Sequence, residues 1–394
     1  MIDIREYIRD VLSVTLALST SLIDIVAGFT AVLMLPYLRG AKWVLMIFPI
    51  LLTVRGAING TFSGTLTTSL HLGIIKPDFW NNTDEYYTLL SAIISLSIIN
   101  GIMASIIVGL YLYELLLCIA ALFFIIFTFA LTTVFSILLT SLIGFKTFQY
   151  GLDPDLIVYP TMSSVNDVFA SIVLLISTII LEPWNPHATI FRGSIFCLVI
   201  FILTTAILIR HGKKPFFKKT FKESYVGVLY SLLFSSASGL ILACLYDRIL
   251  MYPGILMAIP AVMTAIGDIG SIIASTTTTK LHLGEFKGSV LCSIIETFPH
   301  SFSLVIAPYI LFCGIYASLG VIITSSSFYE IFYLFLIFLI SGLFGIALMS
   351  FLALLISFGS FKYGIDPDNV SIPIITATSD FIAISMIFVV TLII

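Results

Sequence analysis

Residues 49–73 read PILLTVRGAINGTFSGTLTTSLHLG, and residues 260–284 read PAVMTAIGDIGSIIASTTTTKLHLG. The two segments align without a gap at an offset of 211 residues, and both end in Leu-His-Leu-Gly after a threonine-rich stretch. Gly56 in the first segment matches Gly267 in the second. A long repeated block of this kind predicts a chain that contains two copies of one structural unit.

A second pair of segments occurs further along each copy. Residues 151–155 read Gly-Leu-Asp-Pro-Asp and residues 364–368 read Gly-Ile-Asp-Pro-Asp, at an offset of 213. Each is followed by an apolar run that contains one further carboxylate, Asp167 or Asp380. Because two independent blocks recur in the same order, we interpret the chain as an internal duplication.

The composition indicates a membrane protein. Of 394 residues, 59% are hydrophobic and 10% are charged, whereas soluble domains are about 25% charged. Apolar runs long enough to cross a bilayer as helices recur throughout, without the alternation of an outer-membrane barrel. We therefore predict an all-α polytopic protein with eleven spans at residues 11–36, 43–75, 86–113, 115–143, 157–181, 192–209, 224–246, 251–279, 288–322, 329–358 and 370–394.

These spans predict three regions. Residues 1–190 form a first five-span repeat, residues 191–222 form a linking span and a basic loop, and residues 223–394 form a second five-span repeat. The long second span of each repeat is rich in Gly, Ser and Thr, so we expect it to be broken. Broken helices are tolerated at membrane depth where they are buried or line a cavity.

The distribution of Lys and Arg predicts the orientation. The loops on the N-terminal side carry thirteen basic residues: Arg5, Arg9, Lys76, Lys146, Arg210, Lys213, Lys214, Lys218, Lys219, Lys222, Lys280, Lys287 and Lys362. The other side carries four, Arg39, Lys42, Arg192 and Arg248, while Arg55 lies within a span. The positive-inside rule then predicts a cell-membrane protein with a cytoplasmic N-terminus and its C-terminus outside.

The linking span has a topological reason. Five spans per repeat would leave the second repeat inverted, and one additional crossing restores the orientation of the first. We therefore expect parallel repeats related by an axis along the membrane normal.

Asp167 and Asp380 are predicted to lie near the middle of the membrane. Asp-Pro favours a helix start, which here falls near residues 156 and 369. An aspartate 11 residues later lies ~16 Å along the helix, about half of a ~30 Å hydrocarbon core. Ser163 and Thr376 lie one turn before the aspartates on the same helix face.

The paired carboxylates favour a cation site. Two carboxylates across an axis repel each other unless a cation or a proton lies between them. Oxygen ligands without a cysteine cluster favour a hard cation such as Mg²⁺, which keeps much of its water. The alternative is a structural pair of carboxylates that are hydrogen-bonded between helices.

The second spans contribute unequal polar groups. Asn59 and Asp268 are candidate additions to the site, and pairing of Asp268 with Arg55 or with another internal partner is the alternative for that carboxylate. Asp24 in the first span is a weak candidate for a coupling ion, with a structural role as its alternative.

Several other residues favour structural roles. His71 and His282 match each other at helix ends, and Glu296 with His300 suits a local ion pair. The scattered cysteines suit small buried hydrophobes. Enzyme motifs are lacking, and the basic stretch at residues 210–224 suits a membrane anchor rather than a nucleic-acid site.

The blocks LLTVRGAINGTFSGTLTTSLHLG and GLDPDLIVYPTMSSVNDVF, with their second copies, resemble the membrane domain of MgtE and solute-carrier-41 type magnesium transporters. In that family a five-span domain dimerises, and an aspartate of the last span binds hydrated Mg²⁺. The resemblance implies a fused pseudo-dimer that works as a monomer, with Asp167 and Asp380 in this role. Ser163 and Thr376 would stand where family members offer a backbone carbonyl.

We therefore expect a transporter or channel and not an enzyme. Its substrate is expected to be a divalent cation, with Mg²⁺ as the favoured ion, and no prosthetic group is expected. Its partners are the cation and the lipid bilayer, and nucleic acid is not expected. A Na⁺- or H⁺-coupled cation exchanger is one alternative. A non-transporting membrane scaffold or an intramembrane enzyme is the alternative from another class.

Overall fold

A computed structural model describes the backbone of residues 4–152, 154–282, 290–362 and 367–394, and every regular element there is helical. Side chains are described outside residues 1–10, 153–161, 282–296, 300–301 and 361–373. The helices are α1 (Ile4–Ser19), α2 (Ser21–Met34), α3 (Val44–His71), α4 (Asp84–Leu112), α5 (Leu115–Gln149), α6 (Pro154–Leu181), α7 (Pro186–His211), α8 (Pro215–Cys244), α9 (Tyr246–Met251), α10 (Gly254–His282), α11 (Val290–Thr324), α12 (Glu330–Lys362) and α13 (Pro367–Ile393).

The prediction of an all-α polytopic membrane protein is confirmed. In the described residues, eleven helical segments are long and apolar enough to cross a membrane. They follow the order of the predicted spans, with α1 and α2 sharing the first. Such helices satisfy their own backbone hydrogen bonds, which the hydrocarbon core of a bilayer requires.

The expectation that the second spans are broken is wrong. Both α3, with 28 residues, and α10, with 29 residues, are continuous helices. Hydroxyl groups along α3 donate to carbonyls of the preceding turn, such as Ser63 to Gly60 (3.1 Å) and Thr67 to Gly64 (3.1 Å). Because these hydroxyls are satisfied within their own helix, a stretch rich in Ser and Thr remains helical at membrane depth.

The interruption falls in the first span instead. Helix α1 ends at Ser19 and α2 begins at Ser21, so Thr20 separates them. The Thr20 hydroxyl donates to the Ala17 carbonyl at 2.7 Å and to the Asp268 carboxylate at 3.3 Å. The corresponding span of the second repeat, α8, is continuous.

The duplication extends into a short element that follows each first span. Residues 35–40 form a 3₁₀ helix of six residues and residues 246–251 form α9, again at an offset of 211. The next helix begins soon afterwards in both repeats, at Val44 and at Gly254. The two repeats therefore share an order of elements that includes their connections.

A reciprocal pair of glycine contacts accompanies this order. A Cβ on Gly28 would overlap the backbone carbonyl of Met257, and a Cβ on Gly239 would overlap that of Met46. The two glycines are 211 positions apart, as are the two methionines, and each glycine contacts the methionine of the opposite repeat. Each first span therefore packs directly on the backbone of the other repeat's second span.

Two compact units follow from this exchange. One consists of Leu33–Gly239, and the other consists of Met1–Val32 with Leu240–Ile394. Each unit thus takes the first span of the other sequence repeat. The division into repeats at residues 1–190 and 223–394 stays a prediction about sequence duplication, which differs from the division by packing.

The linking helix α7 lies at the edge of its unit. Only 6% of its most apolar 18-residue segment is buried, although this segment is as hydrophobic as the other spans. Gly193 lets it approach α5, because a Cβ there would lie 2.7 Å from the Phe123 Cβ. A helix with one contact stripe and an otherwise apolar exposed surface suits a lipid-facing crossing.

Candidate cation site

The Asp167 carboxylate, on α6, forms a hydrogen-bonded ion pair with the Arg55 guanidinium, on α3. The Arg55 side chain is 5% exposed and that of Asp167 is 17% exposed. Charges at membrane depth are costly unless they are paired. The arginine therefore offsets the charge of the predicted ligand within a single compact unit.

The Asp-Pro motifs set the depth of both aspartates. Helix α6 begins at Pro154 and α13 begins at Pro367, as the helix-start interpretation predicts. Asp167 and Asp380 each lie 13 residues beyond that proline, which is roughly 20 Å along the helix axis. Both carboxylates therefore stand near the middle of their helices.

Asn59 lies one turn beyond Arg55 on α3 and is anchored to α5. Its Oδ1 accepts hydrogen bonds from the hydroxyls of Ser136 (2.9 Å) and Thr140 (2.8 Å). All three side chains are buried. With its oxygen satisfied by two donors, Asn59 fixes α3 against α5 and so holds Arg55 in register.

Arg55 and Asn59 share a small cavity between α3, α4 and α5. Its polar lining consists of these two residues with Ser97, Thr132, Thr133 and Ser136. The space suits one water-sized molecule. The Nε and Nη1 atoms of Arg55 are buried and have no hydrogen-bond partner among the described residues.

The second repeat treats its aspartate differently. Asp380 is 7% exposed. The position that matches Arg55 holds Ile266, which is completely buried. Beside it, a Cβ on Gly267 would lie 2.9 Å from the Ser379 Oγ, so α13 approaches α10 closely here. The arginine that balances Asp167 thus has no matched counterpart beside Asp380.

Asp268 lies on α10 in the unit that contains the first span. Its Oδ2 accepts the hydrogen bond from Thr20 at the break between α1 and α2. Ser21, the residue after the break, shares a 2.5 Å hydrogen bond with Tyr316 on α11. The arginine considered as a partner for Asp268 is paired with Asp167 instead.

Ser163 and Thr376 are both exposed, one turn before their aspartates. The structure thus brings Asp167 and Asn59 together through Arg55, and it brings Asp268 to Thr20. Among the described residues, no three His, Cys, Asp or Glu side chains form a metal-binding group. The Leu33–Gly239 unit offers one mid-helix carboxylate, Asp167, whereas the other unit offers Asp380 on α13 and Asp268 on α10.

Sequence reasoning missed two features. It considered Arg55 only as a partner of Asp268, and it did not use the matched pair Gly28 and Gly239. The second feature could have been found from the offset of 211, since the same offset that relates Gly28 to Gly239 also relates Met46 to Met257.

Some predictions fall outside the described residues. These are the side chains of Asp155, Asp368, His282, Glu296 and His300, and residues Asp153 and Asp366 entirely. The matched histidine His71 is exposed at the end of α3, as the helix-end interpretation predicts.

The described residues form an all-helical membrane protein with eleven apolar crossings, and the sequence contains an internal duplication. Together with carboxylates at mid-helix, these features define the class of ion-transporting membrane proteins. The model of the MgtE family, described as divalent cation transporter, matches residues 48–177 and 259–390. The chain therefore belongs to the MgtE family of divalent cation transporters, and it is a transporter rather than an enzyme. The two matched regions cover α3–α6 and α10–α13, in line with the duplication.

Two curated relatives extend the similarity over most of the chain. Solute carrier family 41 member 3 of Rattus norvegicus is 23% identical over 385 residues, covering 89% of this chain and 79% of the relative. The protein of the same name from Mus musculus is 22% identical, covering 89% of this chain and 75% of the relative. No solved structure gives a significant match to the chain.

Proposed function

We propose that this chain carries Mg²⁺ across the membrane through a path between the two sequence repeats, with Asp167 and Asp380 as its mid-membrane carboxylates. The observation that supports it is the matched position of both aspartates, 13 residues into helices that begin at Asp-Pro. Carboxylate oxygens bind Mg²⁺ well, and a largely hydrated ion needs few direct protein ligands. Asp268, Ser163 and Thr376 supply further oxygen atoms to the path, and Asn59 contributes by holding α3 against α5 beside it.

Loop contacts support the proposed orientation. At the end that we assign to the cytoplasm, Lys214 after α7 pairs with Asp84 at the start of α4. At the opposite end, Tyr37 stacks on Trp184 with ring centroids 5.7 Å apart. The first contact joins the connections after α3 and α7, and the second joins those after α2 and α6, as the proposed topology requires. The positive-inside rule then favours a cytoplasmic location for the more basic of these two ends.

Flux measurements test the carboxylates. In proteoliposomes loaded with a Mg²⁺-sensitive dye, we expect Asp380→Asn to reduce Mg²⁺ flux at least tenfold, because the neutral amide no longer attracts the ion. The double variant Arg55→Gln/Asp167→Asn should lose flux similarly while leaving no unpaired buried charge. Glu223→Gln, which removes one negative charge from an exposed position, is the matched control and should transport normally. Normal flux per folded protein in both aspartate variants would contradict the proposal.

A coupled exchanger is the second candidate. The observation that favours it is the helix break at Thr20 beside Asp268, because helix breaks that face polar groups often bind coupling ions in transporters. Mg²⁺ flux that requires an opposing Na⁺ or H⁺ gradient would support coupling. Equal flux with and without these gradients would favour an uncoupled channel.

A further inference from the structure

Among the described charged side chains of the Leu33–Gly239 unit, Arg55 is the one that has buried nitrogens without a hydrogen-bond partner. One of its terminal nitrogens binds Asp167, whereas Nε and Nη1 are buried without a partner among the described residues. A buried donor without an acceptor costs free energy. Among the described residues the guanidinium is therefore held by the carboxylate, and Arg55 is one of the residues that line the neighbouring cavity.

The cavity is lined by hydrogen-bond acceptors. The Thr132 hydroxyl donates to the Thr128 carbonyl at 2.6 Å, and the Thr133 hydroxyl donates to the Phe129 carbonyl at 2.8 Å. Since each hydroxyl has only one proton, the Thr132 oxygen keeps its lone pairs for another donor, whereas the Thr133 oxygen also accepts from the Ser97 hydroxyl and keeps one. An acceptor-lined polar cavity suits a guanidinium, which carries five N–H groups and no acceptor.

We propose that Arg55 is a built-in competitor of the transported cation: it holds Asp167 while the cation is absent, and when the cation binds Asp167 it shifts so that one terminal NH₂ group fills the water-sized cavity lined by Thr132 and Thr133. This inference rests on the proposed function, in which Asp167 is a cation ligand. It assigns Arg55 as a residue that sets the cation affinity of Asp167, and the second repeat lacks it because Ile266 holds the matched position.

Competition has a defined consequence for affinity. A cation that binds Asp167 must displace a positive charge that is already there, so the binding of any cation to this carboxylate is weakened. A divalent ion recovers more interaction energy from the carboxylate than a monovalent ion does. Since the cost of displacing the arginine is the same for both, a divalent ion offsets it at a lower concentration than a monovalent ion does.

The test is Mg²⁺ binding by purified detergent-solubilised protein, measured as the Mg²⁺ concentration at half-maximal thermal stabilisation. We expect Arg55→Gln to lower this midpoint by about tenfold or more, because Asp167 becomes available. Arg55→Lys keeps the charge and should stay within about threefold of the wild type. In Arg55→Gln/Asp167→Asn the gain should disappear. A structural role alone would lower the melting temperature of Arg55→Gln and leave the midpoint unchanged.

A second variant tests the cavity without removing a charge. Thr132→Val deletes one acceptor and should raise the Mg²⁺ midpoint roughly threefold or more, because the released guanidinium loses a hydrogen bond. Thr128→Val is its matched control, since Thr128 is buried on the same helix with the same type of hydrogen bond, to Phe124, but does not line the cavity. This pair decides the matter if Arg55→Gln does not fold.

The outcomes separate the two proposals. If Mg²⁺ stabilises neither the wild type nor Asp380→Asn, and wild-type liposomes show no Mg²⁺ flux, the proposed function fails. If Mg²⁺ binds but Arg55→Gln has the wild-type midpoint, the competitor role is overturned and the proposed function stands. An equal shift in Thr132→Val and Thr128→Val would likewise overturn the role of the cavity.

Discussion

Asp167→Asn should destabilise the protein by about 3–5 kcal/mol, because it leaves the buried Arg55 charge without its counter-charge. The amide still accepts a hydrogen bond, so the loss reports the uncompensated charge more than the missing contact. The measurement is the unfolding free energy in mixed micelles, with the monodisperse fraction in size-exclusion chromatography as a second readout. The prediction fails if Asp167→Asn unfolds like the wild type.

Two controls make this result specific. Arg55→Met/Asp167→Leu removes both charges and should come close to wild-type stability, since apolar residues often replace a buried ion pair without loss. Glu182→Gln breaks the ion pair of Glu182 with Arg192, whose side chains are 32% and 41% exposed. That exposed pair should contribute only about 0–1 kcal/mol. A large loss in the double variant would show that packing, rather than charge, accounts for the effect.

Gly239→Ala should cost about 3 kcal/mol or prevent folding, because the new Cβ would overlap the backbone carbonyl of Met46. A flexible side chain can move aside, whereas the backbone of a continuous helix such as α3 moves only if the packing of the whole helix changes. Gly28→Ala should have a similar effect through Met257. The measurement is again the unfolding free energy in mixed micelles.

The matched control lies on the same helix. A Cβ on Gly227 would meet no atom within 4 Å. Gly227→Ala should therefore be neutral or stabilise the protein by up to about 1 kcal/mol, because alanine favours the helix over glycine. If Gly239→Ala and Gly227→Ala have the same stability, the close approach of α8 to α3 is not required for folding.

The sequence was sufficient for the architecture because its signals are local. Apolar runs longer than a bilayer is thick define helical crossings, and eleven of them were predicted in the order that the structure has. Asp-Pro predicted the starts of α6 and α13, since proline suits the first helical turn. The duplication was read directly from two matched blocks, and the family match covers both copies.

The prediction of a broken second span was wrong because it used amino-acid composition to infer backbone conformation. A run of glycine, serine and threonine in α3 suggested a broken helix, but the hydroxyls bond back to carbonyls of their own helix and keep it continuous. The break occurs at Thr20, in a span whose composition gave no such signal. There, the Thr20 hydroxyl has an acceptor on another helix, Asp268.

Only the tertiary structure decided which residues form ion pairs and close helix contacts with each other. The repeat at residues 49–73 and 260–284 determined that the chain contains two equivalent second spans, and it placed one arginine in only one of them. It did not determine that Arg55 would pair with Asp167, 112 residues away, or that the first spans would be exchanged through Gly28 and Gly239. The physical reason is the distance along the chain over which each interaction acts. Hydrophobicity and helix starts act between neighbours along the chain, whereas ion pairs and close helix contacts depend on which surfaces meet in space.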